Sequence, residues 1–176
     1  MEPTSEGRPD TADALELARQ ETRAAFENRA LVYYYVFQEL ADEIGPERAG
    51  EVMSRAIRRR GAETGTKYRA AAAALDLAEV ARLFCETSPC QGALFSPGVE
   101  DSSGDQVVVR MSSCPLVDAW RSVGLSDDEI ERMCDIASAV DEGTFSAAGL
   151  ELTFLDKLGR PGSTRCLLQL RLPDKV

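Results

Sequence analysis

No histidine occurs anywhere in the 176 residues. This excludes Ser-His-Asp and Cys-His catalytic groups and every histidine-ligated metal site, so a general base must be a carboxylate, a second thiolate or water. Basic residues are also scarce, at 20 Lys and Arg against 30 Asp and Glu, and the net charge is −10. Phosphate binding rests on clustered cations, and only Arg58-Arg59-Arg60 forms a cluster, read here as a solvated helix end; no nucleic-acid partner is expected. No apolar run approaches the length of a membrane span, so no membrane partner is expected. Walker-type and dinucleotide glycine fingerprints are absent, which argues against a nucleotide-driven enzyme. No cofactor is expected.

Five cysteines form the reactive inventory that remains. An odd number, behind a Met1-Glu2-Pro3-Thr4 start with neither a basic nor an apolar leader region, fits free thiols in a reducing compartment, and the expected localisation is cytoplasmic. Cys85 and Cys90 are separated by four residues, and Cys114, Cys134 and Cys166 stand singly. That spacing offers no second Cys-x-x-Cys pair, so no structural zinc and no other metal are expected.

Residues 1–10 combine Pro, Gly, Ser and Glu without apolar periodicity and read as a disordered leader. From Thr11, apolar residues recur at three- and four-residue steps up to Gly45-Pro46, which predicts one long amphipathic helix. Tyr33, Tyr34 and Tyr35 cover so wide an arc that burial on more than one side is expected, against a partner helix or a second copy of the chain. A shorter helix should follow Pro46 and stop at Gly61. A third should run from about Thr66 to Thr87, and residues 88–104 read as a loop.

The second half changes period. Val107, Val109 and Met111 alternate with Val108 and Arg110, and Leu150, Leu152 and Phe154 alternate up to Lys157, so both segments read as strands. Gly159-Arg160-Pro161-Gly162 signals a hairpin turn, and a last strand follows with Cys166, Leu168, Leu170 and Leu172 on one face. Between the strands lie two helices, Pro115 to Gly124 and Ser126 to about Asp141. The expected architecture is α+β in a single domain spanning 11–176: N-terminal amphipathic helices (11–90) packed with a small antiparallel sheet carrying inserted helices (105–173).

Ser112-Ser113-Cys114-Pro115-Leu116 carries the most chemical information. Proline at the first helical position puts Cys114 at the N-cap, where free N–H groups and the helix dipole should lower a thiol pKa and could hold an oxyanion or a substrate carboxylate. The competing reading is a small apolar residue covering a helix end. Downstream, Ser126 and Glu129 have the spacing of a capping box. Cys134 lies on the apolar face of that helix, with Asp141 two turns on and pointing the same way. Asp141, with Glu142 next in line, is the candidate acid/base, unless the helix ends near Gly143 and turns it to solvent. Cys134 and Cys166 also read plainly as small core residues.

The run from Val109 to Leu116, the following Leu125-Ser126-Asp127-Asp128-Glu129-Ile130 with Cys134, and a closing hairpin bearing Cys166 resemble the L-2-amino-thiazoline-4-carboxylic acid hydrolase family. The resemblance covers about Val107 to Leu172; the helical first half agrees in style. It implies a cofactor-independent hydrolase that opens a cyclic amidine at a C–N bond, by attack of a nucleophile or activated water on the C=N carbon and protonation of the departing nitrogen. It carries Cys114 onto the family's Cys-Pro position, Cys134 onto its helix cysteine and Cys166 onto its terminal-strand cysteine. Ser113, Arg110 and Arg165 are the candidate substrate-binding residues. The alternative from another class is a binding module that holds a small acid without turning it over, or a divergent enzyme tailoring a natural product.

Overall fold

The computed structural model describes residues 11–173; the proposed leader, residues 1–10, lies outside them. Six helices and four strands follow in the order α1 (Thr11–Ile44), α2 (Pro46–Gly65), α3 (Arg69–Ala73), α4 (Leu77–Glu86), β1 (Pro97–Ser103), β2 (Gln106–Met111), α5 (Pro115–Ser122), α6 (Asp127–Ala148), β3 (Glu151–Asp156) and β4 (Cys166–Arg171). Short 3₁₀ turns occupy Thr66–Tyr68 and Pro89–Gly92. The strands form one antiparallel sheet in the order β1-β2-β4-β3. The expected α+β single domain is therefore what the chain forms.

Alternation along the strands decides which side of the sheet meets the helices. Met111 pairs with Cys166, Val109 with Leu168 and Val107 with Leu170. Because side chains of paired residues share a face, these six line the inner face, and all but Met111 are buried in the core. The opposite parity carries Arg110, Gln169 and Arg171, and Val108 is its one buried member in β2 and β4. The α5 helix is anchored to α1 by its fully buried Trp120, whose indole Nε1 donates to the Ala30 carbonyl at 2.9 Å.

Several boundaries differ from the periodicity, each for an identifiable reason. Helix α2 continues past Gly61 to Gly65. There is no room for a Cβ at Gly61, Gly65 or Gly143: at the first it would collide with the Val140 carbonyl, at the second with the Thr144 carbonyl, and at the third with the Arg58 carbonyl. These glycines bring α2 and α6 into backbone contact, and Thr144 Oγ1 donates across the crossing to the Gly61 carbonyl at 3.1 Å. Gly143 thus does not end α6. The helix continues to Gly149, which is left-handed at φ 85°, and Leu150 N–H closes onto the Phe145 carbonyl at 2.9 Å. The expected helix from Thr66 to Thr87 breaks where Leu75 takes φ 60°, and it restarts at Asp76, whose side chain accepts from Glu79 N–H.

The expected loop 88–104 contains β1. Its Glu100, Asp101 and Ser102 hide the strand from a search for apolar alternation, and as an edge strand it needs little apolar burial. Within the chain α1 is covered on one side only: Ala30 and Phe37 are buried, Tyr33 and Tyr34 are half-buried, and Tyr35 is 57% exposed. The expected burial of the tyrosine arc on more than one side is not met by the chain itself, because only α2 and α5 pack extensively along α1.

Candidate active site

Three elements bring three cysteines together. Pro115 starts α5, leaving Cys114 at its N-cap in extended conformation (φ −150°, ψ 109°). Cys134 sits in α6 behind the capping box, in which Ser126 N–H donates to Glu129 at 2.8 Å and Ser126 Oγ accepts from Glu129 N–H. Cys166 opens β4 on the inner face, opposite Met111 at the end of β2. The three sulfurs lie close enough that a Cys134 thiolate would raise the pKa of both Cys114 and Cys166, and a Cys114 thiolate that of Cys166.

Each sulfur faces backbone N–H groups. The amides of Leu116 and Val117 in the first turn of α5 are directed at Cys114 and favour its thiolate, though neither makes a fully formed capping hydrogen bond. Leu158 N–H donates to Cys166 Sγ at 3.2 Å, and the Gly159 amide faces Cys134. Gly159 packs so tightly on Cys134 that a Cβ there would lie 2.8 Å from the sulfur.

Burial nonetheless outweighs the amides. It pushes the Cys114 thiol up to about 11, with the neighbouring Cys134 and Asp118 acting in the same direction. This corrects the expectation that the helix terminus lowers the pKa of Cys114: dipoles of one short helix recover only part of the free energy lost when a thiolate leaves water. Burial likewise raises Cys134, and Cys166 is pushed up to about 12.

Asp141 lies within α6, two turns beyond Cys134, and is half-buried. Burial pushes its carboxyl up to about 7, Lys157 opposes the rise, and Glu142 adds to it. Its charge reaches Cys134 and Cys166, whereas the carboxylate felt at Cys114 is Asp118. Glu142 points elsewhere and is ion-paired with Arg58 of α2. Of the two candidate acid/base residues, Asp141 is therefore the one beside the sulfurs.

The candidate substrate-binding residues are not brought to the sulfurs. Ser113 Oγ donates to the Leu94 carbonyl at 3.0 Å and contacts Ser96. Arg110 and Arg165 have the outer parity of β2 and β4 and converge there on Glu100, at 3.2 and 3.1 Å. The Arg110 Nε contact is poorly aligned, leaving that buried atom without a hydrogen bond. Cys85 and Cys90 are half-buried free thiols. Among the described residues no three Cys, Asp or Glu side chains are arranged to hold a metal ion.

Sequence reasoning placed the turn between β3 and β4 but missed the part played by Lys157 at its start. Lys157 is buried, and its Nζ donates to Asp135 Oδ1 at 2.7 Å and Ser138 Oγ at 2.9 Å on α6, while sitting 4.4 Å from the centre of the Phe154 ring. The one signal was a lysine closing an apolar-alternating strand immediately before a turn.

Among solved structures, the chain is similar to trafficking protein particle complex subunit 3 from Naegleria fowleri, crystallised covalently bound to palmitic acid. The TM-score is 0.58 at 14% identity, over 87% of this chain and 98% of that one. At that identity the likeness concerns the fold. No curated protein matches the sequence significantly. The family model for L-2-amino-thiazoline-4-carboxylic acid hydrolase matches residues 23–169, which takes in the first helices as well as the cysteine-bearing half. The chain accordingly belongs to the L-2-amino-thiazoline-4-carboxylic acid hydrolase family.

Proposed function

We propose that this protein hydrolyses a small thiazoline-like cyclic amidine at the thiol cluster, with Cys114 as nucleophile and Asp141 as acid/base. The family's name supports a hydrolase acting on aminothiazoline carboxylic acid. The observation that carries the site is the gathering of Cys114, Cys134 and Cys166 beside a carboxyl that burial pushes up to about 7. A group balanced at that pH can both give and take a proton under neutral conditions.

Because the Cys114 thiol is protonated at rest, it adds across the C=N bond: sulfur bonds the carbon and the thiol proton goes to the ring nitrogen. Protonated Asp141 then donates to that nitrogen as the ring C–N bond breaks, leaving an amine and a Cys114-bound iminium carbon. Water adds to this carbon and Asp141 takes its proton; the resulting carbinol then collapses to the carbonyl, expelling the Cys114 sulfur, which takes up the hydroxyl proton and is restored as the thiol. The Leu116 and Val117 amides favour the sulfur's negative charge as it leaves. The net change is one water consumed and one C–N bond broken, with no cofactor required.

Cys114→Ala should lower the rate of 2-amino-thiazoline-4-carboxylate hydrolysis by roughly 10³-fold or more while moving the thermal midpoint by only about 3 °C. Retained activity would remove Cys114 from the nucleophile role. The raised thiol pKa supports a second reading, in which Cys114 is an inert helix cap and the protein binds a small acid without turning it over. In that case calorimetry would show the thiazoline binding to wild type and Cys114→Ala alike, with no product formed by either.

A further inference from the structure

Lys157 is the charged residue buried most completely in the described chain, at 8% exposure, and neither the family resemblance nor the proposed chemistry uses it. A buried ammonium is retained only where partners compensate its desolvation. Here they are Asp135 and Ser138, both on α6, so the ion pair ties the β3–β4 loop to that helix. The next two residues of the same loop supply the amides that face the sulfurs: Leu158 for Cys166 and Gly159 for Cys134. A second tie comes from Arg121 of α5, whose Nη2 donates to the Leu158 carbonyl at 3.2 Å. The loop therefore touches two of the elements that carry cysteines and leads into the third.

We propose that Lys157 is the positioning residue of the thiol site: clamped to Asp135 and Ser138, it seats the Leu158 and Gly159 amides on the Cys166 and Cys134 sulfurs and holds a positive charge beside Asp141. Its placement is independent of whether Cys114 attacks a substrate; its bearing on catalysis rests on the reading given above. The charged neighbours are few. On α6 they are Asp135 and Asp141; Glu142 acts on Asp141 and is already paired with Arg58. From β3, Asp156 uses its carboxylate to accept the Lys157 backbone N–H at 2.8 Å. The loop's other cation, Arg160, faces Glu131 at 3.8 Å. Lys157 is thus the cation whose charge acts on both Asp141 and Cys134.

The test uses the full-length protein and reads two quantities that need no turnover. Carbon-detected NMR titration follows the Asp141 carboxyl, and mass spectrometry follows the iodoacetamide labelling rates of Cys134 and Cys166. In Lys157→Met the Asp141 midpoint should rise by about half a unit or more, and both thiols should label roughly tenfold faster as the loop detaches. Lys157→Arg should restore most of each effect. Should Lys157→Met fail to fold, Asp135→Asn supplies the labelling comparison, because that carboxylate is 56% exposed and its loss weakens the clamp from the solvent side while the Lys157 charge remains. An unchanged midpoint together with unchanged labelling in Lys157→Met, or unchanged labelling in a folded Asp135→Asn, overturns the proposal. If both readouts shift while Cys114→Ala still hydrolyses the thiazoline, the clamp stands and the nucleophile assignment falls.

Discussion

The two faces of the sheet carry charged groups of similar kind with different consequences. On the outer face Arg110 and Arg165 share Glu100, all three side chains being between 38% and 45% exposed. Such exposed pairs contribute little because water competes for each partner. On the inner side the Asp141 carboxyl, the Lys157 ammonium and three thiols come together where α5, α6 and the β3–β4 loop meet. Removing water from them pushes Asp141 up to about 7 and Cys114 up to about 11. The contrast shows that enclosure, more than the number of charges, makes this site chemically distinctive.

The sharpest way to break the contrast is to open the enclosure. Gly143→Ala would drive a Cβ into the Arg58 carbonyl and force α6 away from α2. Overpacking against backbone, partly offset by better helix propensity, should destabilise by about 2 kcal/mol and lower the melting temperature by roughly 4–8 °C in calorimetry. An unchanged melting temperature would show that the crossing yields easily.

A smaller effect is expected from Asp141→Asn, and its sign depends on pH. The folded-state pKa lies above the ordinary carboxyl value, so the wild type's proton-linked stability is complete below about 4 and is lost as pH rises through about 7. Asparagine avoids the burial of a carboxylate. The variant should therefore be more stable than wild type at pH 8, on the order of 1–2 kcal/mol given the half-buried position, and show no such gain at pH 4. Thermal melts at the two pH values decide it; equal differences at both would mean that the carboxyl is not raised.

The smallest effect belongs to the outer face. Arg165→Ala removes an exposed ion pair and should change stability by about 0.5 kcal/mol or less, with KM for the thiazoline staying within roughly twofold of wild type. A KM rise of tenfold or more would show that the outer face takes part in binding after all, as the chemistry of arginine and a carboxylate substrate first suggests.

Much of the local structure was legible in the sequence because short-range physics sets it. Proline after Cys114 announced an N-cap, Ser126 and Glu129 announced a capping box, and strict alternation around Val109 and Leu168 announced the inner strands. The misreadings share one cause. Gly61 and Gly143 look like helix terminators until a second backbone is found lying against them, and β1 lacks apolar alternation because an edge strand does not need it. The candidate site divides in the same way. Cys114, Cys134 and Asp141 could be named from spacing, while Arg110 and Arg165 were drawn in by their chemistry and lie on the other parity.

The sequence by itself determined that histidine catalysis was excluded, that one cysteine would begin a helix, and that Cys134 and Asp141 would share a helix face, since these follow from composition and from periods of a few residues. Only the tertiary structure decided that three cysteines from α5, α6 and β4 meet, that Lys157 closes the loop over two of them, and that burial overrides the helix terminus in setting the thiol pKa. Those outcomes depend on how much water each group loses, and that quantity is fixed by contacts between residues far apart in the chain.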